Sequence, residues 1–205
     1  MSEHLTRRAF LKSSAATTAG TAFGQTAAAD ATPPAGTGDL PMGASGPEPV
    51  PVDLIVNGTR RTINLEPRTT LAEVLRGPLA LTGTKVACDR GACSACTVWL
   101  DGQPALACMT LAVEAAGRSV TTIEGLARGG TLHPVQQAFI EHDALQCGFC
   151  TSGMVMSCAA LLVRRPNPAP DDVQAAIAGH LCRCGSYPHV VDATLAAAGT
   201  GSPKG

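Results

Sequence analysis

The sequence predicts an α+β protein in which a strand-rich part precedes an all-helical part. Three observations carry that expectation. In the first half, the turn pairs Asn57-Gly58 and Asp101-Gly102 each separate two apolar-rich runs, the signature of tight hairpins. Beyond Gly129-Gly130 the apolar residues recur at helical rather than strand spacing. Eight of the nine cysteines fall into two sets of four, one in each part.

Structure is expected to begin near Val52. VDLIVN alternates, Asn57-Gly58 turns, and RRTINL returns, giving a hairpin over 52–65. Thr69 or Thr70 can cap a short helix through Leu71, Val74 and Leu75 that ends at Gly77-Pro78. After a cysteine-bearing loop, TVWLDGQPALAC forms a second hairpin whose return strand delivers Cys108. SVTTIEGL at 119–126 reads as a further strand. Helices are expected over 133–143, over 151–165 stopping before Pro166, from Asp171-Asp172 through Ile177, and from Pro188 through Leu195.

The ends differ from this middle. Residues 6–12 read TRRAFLK, with Arg7 and Arg8 paired ahead of Phe10, Leu11 and Lys12. An uncharged Ala/Ser/Thr/Gly stretch follows and ends in Ala27-Ala28-Ala29. That is the three-part layout of an export signal, of the twin-arginine type. The stretch is too polar and too short for a transmembrane helix, so no stable membrane anchor is expected. Residues 30–51 hold six prolines and four glycines without hydrophobic periodicity, as a linker does. The expected organisation is a signal peptide at 1–29, a linker at 30–51, one domain at 52–127, a second at 128–199 and a tail at 200–205. The expected location is the periplasm, reached in the folded state. Twin-arginine export would let metal ligands be committed in a reducing compartment before oxidation could pair them.

The 205 residues are 45% hydrophobic but only 3% aromatic, so the core must be built from Ala, Val, Leu and Ile, helped by bound cofactors. The formal net charge is −1 and no basic run appears, which argues against a nucleic-acid partner.

Cys88, Cys93 and Cys96 lie in CDRGACSAC, and Cys108 follows on the next hairpin. This is the plant-type ferredoxin spacing for a 2Fe-2S cluster. Gly91, Ala92, Ser94 and Ala95 are small enough to let the backbone wrap closely. Zinc is the main alternative, although zinc motifs usually pair their cysteines two and two. Cys147 and Cys150 lie in QCGFC at a helix entrance, and Cys182 and Cys184 lie in LCRCG between the last two helices. These ligand pairs at matching helix junctions could hold a second cluster, with helix N-termini offsetting its negative charge. On spacing alone, zinc stays open for this second set. Cys158 falls inside an apolar helical run and reads as a buried, inert thiol.

The runs CDRGACSACTVWLDG, QCGFCTSGMVM and HLCRCGSYPHV resemble the iron–sulfur subunit of the xanthine dehydrogenase and aldehyde oxidoreductase family of molybdenum hydroxylases. With the twin-arginine signal, the sequence is most similar to the periplasmic aldehyde oxidoreductase small subunits of that family. The resemblance covers about Val52 to about Ala198. It implies a ferredoxin (β-grasp) domain and a four-helix domain, each with one 2Fe-2S cluster. It also implies a large partner carrying a molybdenum–pterin cofactor, which oxidises an aldehyde, and an FAD-binding subunit. Electrons would run from molybdenum to the Cys147 set, then to the Cys88 set, then to FAD, with no substrate chemistry on this chain. Gln146, just before the QCGFC cysteines, would contact the pterin. The chain departs from the usual pattern at Ser94, often Gly, where a positive φ would be strained. It departs also at Ser152, and at His180, where Asn is usual and where a capping or hydrogen-bonding role is expected. The alternatives are a stand-alone two-cluster ferredoxin, the small subunit of a heteroaromatic-ring hydroxylase of the same family, and a zinc- or disulfide-stapled module.

Overall fold

The computed structural model describes residues 46–199. The expected export signal, most of the expected linker and the expected tail fall outside the described residues.

The first hairpin pairs β1 (Val50–Val56) with β2 (Thr59–Leu65) in antiparallel register, Val56 opposite Thr59. Asn57 (φ 50°) and Gly58 (φ 79°) take the two left-handed positions such a two-residue turn requires. The strand starts two residues earlier than expected, inside the proline-rich stretch. Pro51 is accommodated because the next strand pairs with β1 only at Ile55 and Val56, leaving the Pro51 end an edge on that side.

Helix α1 (Leu71–Arg76) is capped by Thr70. The Glu73 backbone N–H donates to Thr70 Oγ1 at 3.3 Å, and the Thr70 N–H donates to the Glu73 carboxylate at 2.7 Å. Gly77 ends the helix. The second hairpin is β3 (Thr97–Leu100) and β4 (Gln103–Leu106), turned by Asp101 and Gly102. Cys108 lies just past β4, in the turn that follows.

Strand β5 (Ser119–Thr121) is shorter than the sequence suggests. The Thr122 N–H donates to Asn57 Oδ1 at 2.9 Å rather than to a strand, and the chain turns tightly over Ile123–Gly125. The sheet order is β2-β1-β5-β3-β4, with β5 parallel to β1 and antiparallel to β3. With α1 packed on one face through Leu71, Val74 and Leu75, this is the β-grasp arrangement.

Four helices follow: α2 (Pro134–Glu141), α3 (Thr151–Arg164), α4 (Pro170–Ile177) and α5 (Tyr187–Ala197). Pro opens α2 and α4 and occupies the second position of α5, where its missing N–H costs nothing. Helix α3 is buried along most of its length and forms the centre of a second core with Val135, Phe139, Val173 and Val190. None of the described helices is long and apolar enough to cross a membrane.

Contacts along α3 tie the strand-rich half to the helices. The indole N–H of Trp99 on β3 donates to the Met156 carbonyl of α3 at 2.8 Å. Gly153, in the first turn of α3, lies against the backbone of Ser94 and Ala95. A Cβ there would sit 3.2 Å from Ala95 and still closer to the Ser94 carbonyl oxygen. Gly153→Ala should gain about 1 kcal/mol of helix propensity but lose about 1–3 kcal/mol to backbone overpacking. Because neither backbone can rotate away, the loss should win, and thermal unfolding should show a melting temperature several degrees lower.

Candidate metal centres

The first cysteine loop joins α1 to β3. Asp89, Gly91 and Ser94 all have positive φ, at 51°, 73° and 56°. These reversals wind the loop into a concave backbone whose N–H groups turn inward, the geometry of an anion cradle. The Ala92 N–H donates to Cys88 Sγ at 3.2 Å. Ser94 occupies the strained position anticipated from the sequence, and its carbonyl accepts from the Thr97 hydroxyl at 2.7 Å. Gly91 lies against Met109, so a side chain there would meet both positive φ and the Cys108 turn. That turn is fixed to α1: the Leu71 N–H donates to the Thr110 carbonyl at 2.8 Å, and the Ala72 N–H to the Ala107 carbonyl at 3.0 Å.

The thiols of this set lie close enough to act on one another: Cys93 on Cys88, and both Cys108 and Cys93 on Cys96. The Arg90 N–H, then the Cys93 thiol and the N–H groups of Ala92 and Cys93, hold Cys88 down to about 7 despite some burial. Burial pushes Cys96 up to about 12; the Cys108 N–H opposes this, and the Cys108 thiol and charge reinforce it. Cys93, Cys96 and Cys108 are buried, and Cys88 is partly open.

The second set is built on helix ends. Cys150 caps the N-terminus of α3, and Gly148 (φ 80°) turns the chain so that Cys147 and Cys150 flank it. Cys182 and Cys184 lie in the turn between α4 and α5. Cys150 is close to both Cys182 and Cys147, and Cys184 to both Cys147 and Cys182. Burial pushes Cys150 up to about 12, and the nearby Cys182 thiol adds to it. Burial would raise Cys182 too, but the Ser186 hydroxyl and N–H, the Cys150 thiol and the Gly185 N–H bring it down to about 7. The Cys182 Sγ lies 3.3 Å from Ser186 Oγ. Cys147 is exposed.

Among the described residues, no three His, Cys, Asp or Glu side chains converge on one metal-ion position. Each set brings four thiols within reach of one another. Two thiolates on each of two irons is the donor set of a Cys-ligated 2Fe-2S cluster, and soft thiolates suit it. The eight cysteines therefore fit two such clusters, and all nine cysteines are free thiols rather than disulfides.

Gln146 is exposed beside Cys147. Its neighbours Leu145 and Phe149 are also exposed, at 39% and 47%, and so is Leu181 beside Cys182, at 62%. Cys158 is fully buried on α3, and burial pushes it up to about 11, consistent with an inert thiol. His180 is buried and its Nε2 lies 2.8 Å from Ser157 Oγ on α3. Burial pushes His180 down to about 4, so the ring is neutral at pH 7 and serves a hydrogen bond, as expected. Sequence reasoning missed Gly153, Trp99 and Tyr187. A glycine within a helical run signals close backbone approach. Tyr187 is the chain's sole tyrosine, and nothing in its sequence neighbourhood shows where its hydroxyl goes.

Residues 54–115 match the family model described as a 2Fe-2S iron–sulfur cluster binding domain, and residues 122–195 match the model described as a 2Fe-2S binding domain. The nicotine 6-hydroxylase small subunit of Paenarthrobacter nicotinovorans is 47% identical over 150 residues, 73% of this chain and 90% of that protein. The aldehyde oxidoreductase iron–sulfur-binding subunit PaoA of Escherichia coli is 41% identical over 210 residues, 95% of this chain and 89% of that protein. Among solved structures, quinoline 2-oxidoreductase from Pseudomonas putida superposes with a TM-score of 0.72 at 42% identity, over 74% of this chain and 95% of that one.

Differential thiol reactivity follows from the local environments. In folded, metal-free protein near neutral pH, Cys88 and Cys182 should be alkylated first, because more of each is thiolate and both are partly open. Cys96, Cys150 and Cys158 should react last, and peptide mass spectrometry over a time course reads the order.

Proposed function

Because this chain belongs to the 2Fe-2S small subunits of the molybdenum hydroxylase family, we propose that it is the electron-relay subunit of a periplasmic molybdenum-dependent aldehyde dehydrogenase. Cys147, Cys150, Cys182 and Cys184 hold one 2Fe-2S cluster, and Cys88, Cys93, Cys96 and Cys108 hold the other. The clusters supply one-electron carriers. The chain's own residues fix their positions, shield them from water and set the hydrogen bonds around the sulfurs.

The observation that carries the reading is the exposure around Cys147. Gln146, Leu145 and Phe149 surround an open thiol, whereas three of the four cysteines of the other set are buried. An open cluster edge with an apolar collar suits a large partner that covers it, and a free-standing ferredoxin would leave that collar in water. The partner proposed for this face carries a molybdenum–pterin cofactor within reach of Gln146. The Cys88 set, entered through its one partly open cysteine, faces a second partner that carries FAD. This chain performs no substrate chemistry.

Two observations support the aldehyde and periplasmic parts. The similarity to the E. coli aldehyde oxidoreductase subunit spans 95% of the chain and so takes in most of residues 1–51, where the paired Arg7 and Arg8 lie. The similarity to the nicotine 6-hydroxylase subunit spans 73%. Its higher identity nonetheless favours a second reading, in which the partner hydroxylates a heteroaromatic ring.

Purification of the native complex tests the proposal. Molybdenum, pterin and FAD should co-purify with this chain from the periplasmic fraction, and aldehydes should reduce the clusters. Replacing Arg7 and Arg8 with Lys should leave the assembled complex in the cytoplasm. A complex that reduces its clusters with N-heteroaromatics and not aldehydes would favour the second reading. A chain that purifies alone would sink both.

A further inference from the structure

Cys182 sits on a short irregular segment, His180–Leu181–Cys182, between α4 and α5. One atom clasps that segment. The Tyr187 hydroxyl accepts the Cys182 backbone N–H at 2.8 Å and donates to the His180 carbonyl at 2.8 Å. Between these two bonds, the Leu181 N–H donates to the Cys93 carbonyl at 3.2 Å, so the same segment touches the first cysteine set. The His180 ring, bonded to Ser157 on α3, holds the far side.

A phenol oxygen can accept and donate at one point. Phenylalanine fills the same space and does neither. The Tyr187 oxygen commits the Cys182 N–H away from the sulfurs. Hydrogen bonds to cluster sulfurs are one of the levers by which a protein sets the reduction potential. The clasp also fixes Leu181, through which the two cysteine sets are hydrogen-bonded.

We propose that Tyr187 is a positioning residue of the electron relay: its hydroxyl sets the potential of the cluster held by Cys147, Cys150, Cys182 and Cys184, and fixes that cluster relative to the first. The inference rests on the assignment of those cysteines as ligands. Removal of the oxygen frees the Cys182 N–H and the His180 carbonyl together, and loosens the Leu181–Cys93 bond.

The test uses the native complex with both clusters loaded. Redox titration followed by electron paramagnetic resonance reads each cluster separately. Tyr187→Phe should shift the potential of the second cluster, leave that of the first in place, and weaken the magnetic coupling between the two reduced clusters. A loss of thermal stability alone, with both potentials and the coupling unchanged, would overturn the inference. So would an equal shift of both clusters, which marks a global effect. Since the chain has one tyrosine, growth on a ring-fluorinated tyrosine alters this oxygen alone within the subunit. Fluorination keeps the hydroxyl and weakens it as an acceptor, so the fold survives even if Tyr187→Phe fails to assemble. The second cluster should then shift in the same selective way, and an unshifted potential overturns the inference. An unsubstituted complex with no second-cluster signal would overturn the ligand assignment and this inference with it. A normal second signal indifferent to Tyr187 would overturn the inference alone.

Discussion

The close approach of two backbones, Ser94–Ala95 on the first cysteine loop and Gly153 on α3, is the constraint on which the rest of the molecule depends. Gly153 is three residues past Cys150, and Ser94 lies between Cys93 and Cys96. Their contact therefore fixes one cysteine set against the other with no side chain between them. The Leu181–Cys93 bond and the Trp99–Met156 bond reinforce the same seam from its two sides. The cost is visible in Ser94, a non-glycine residue at φ 56°, a conformation about 1–2 kcal/mol uphill for an L side chain. The bond from the Thr97 hydroxyl to the Ser94 carbonyl helps to hold it there.

Around that seam, each cysteine set combines local backbone devices with packing of some of its thiols into the cores, Cys96 and Cys108 in the first and Cys150 in the second. Three positive-φ residues coil the first loop, and α1 anchors the Cys108 turn by backbone bonds. Helix starts present the second set, Cys150 at α3 and the Cys182–Cys184 turn ahead of α5. In both sets one thiol is held near 7 by N–H donors and a neighbouring thiol, joined at Cys182 by the Ser186 hydroxyl, and another is driven to about 12 by burial. The buried thiols lose their protons only to a metal that replaces the positive charge, so loading a site and releasing protons are one event.

The parts of the fold that follow from short-range chemistry were legible in the sequence. Asn57-Gly58 and Asp101-Gly102 can close only tight hairpins, Thr70 with Glu73 makes a capping box, and the prolines mark helix starts. The strained Ser94 was legible only through the family resemblance, in which Gly is usual at that position. Long-range features were not. The parallel pairing of β5 with β1, and its early end at Thr122, depend on Asn57 some sixty-five residues away. The value of Gly153 lies in a loop it meets only in three dimensions. Tyr187 bonds backbone groups, which carry no sequence signature. The cysteine spacing named the sulfurs, but on spacing alone zinc stayed open for the second set; what favours iron there is the match of residues 122–195 to a 2Fe-2S binding domain.

The central requirement is that each cysteine set holds its own two-iron cluster. Its most direct measurement is iron and acid-labile sulfide analysis of the purified native subunit, with electron paramagnetic resonance of the reduced protein. Equal iron and sulfide, sufficient for two clusters, with two distinct 2Fe-2S signals, is the predicted result. Zinc in place of iron at either set, or a single signal with half the iron, would contradict it.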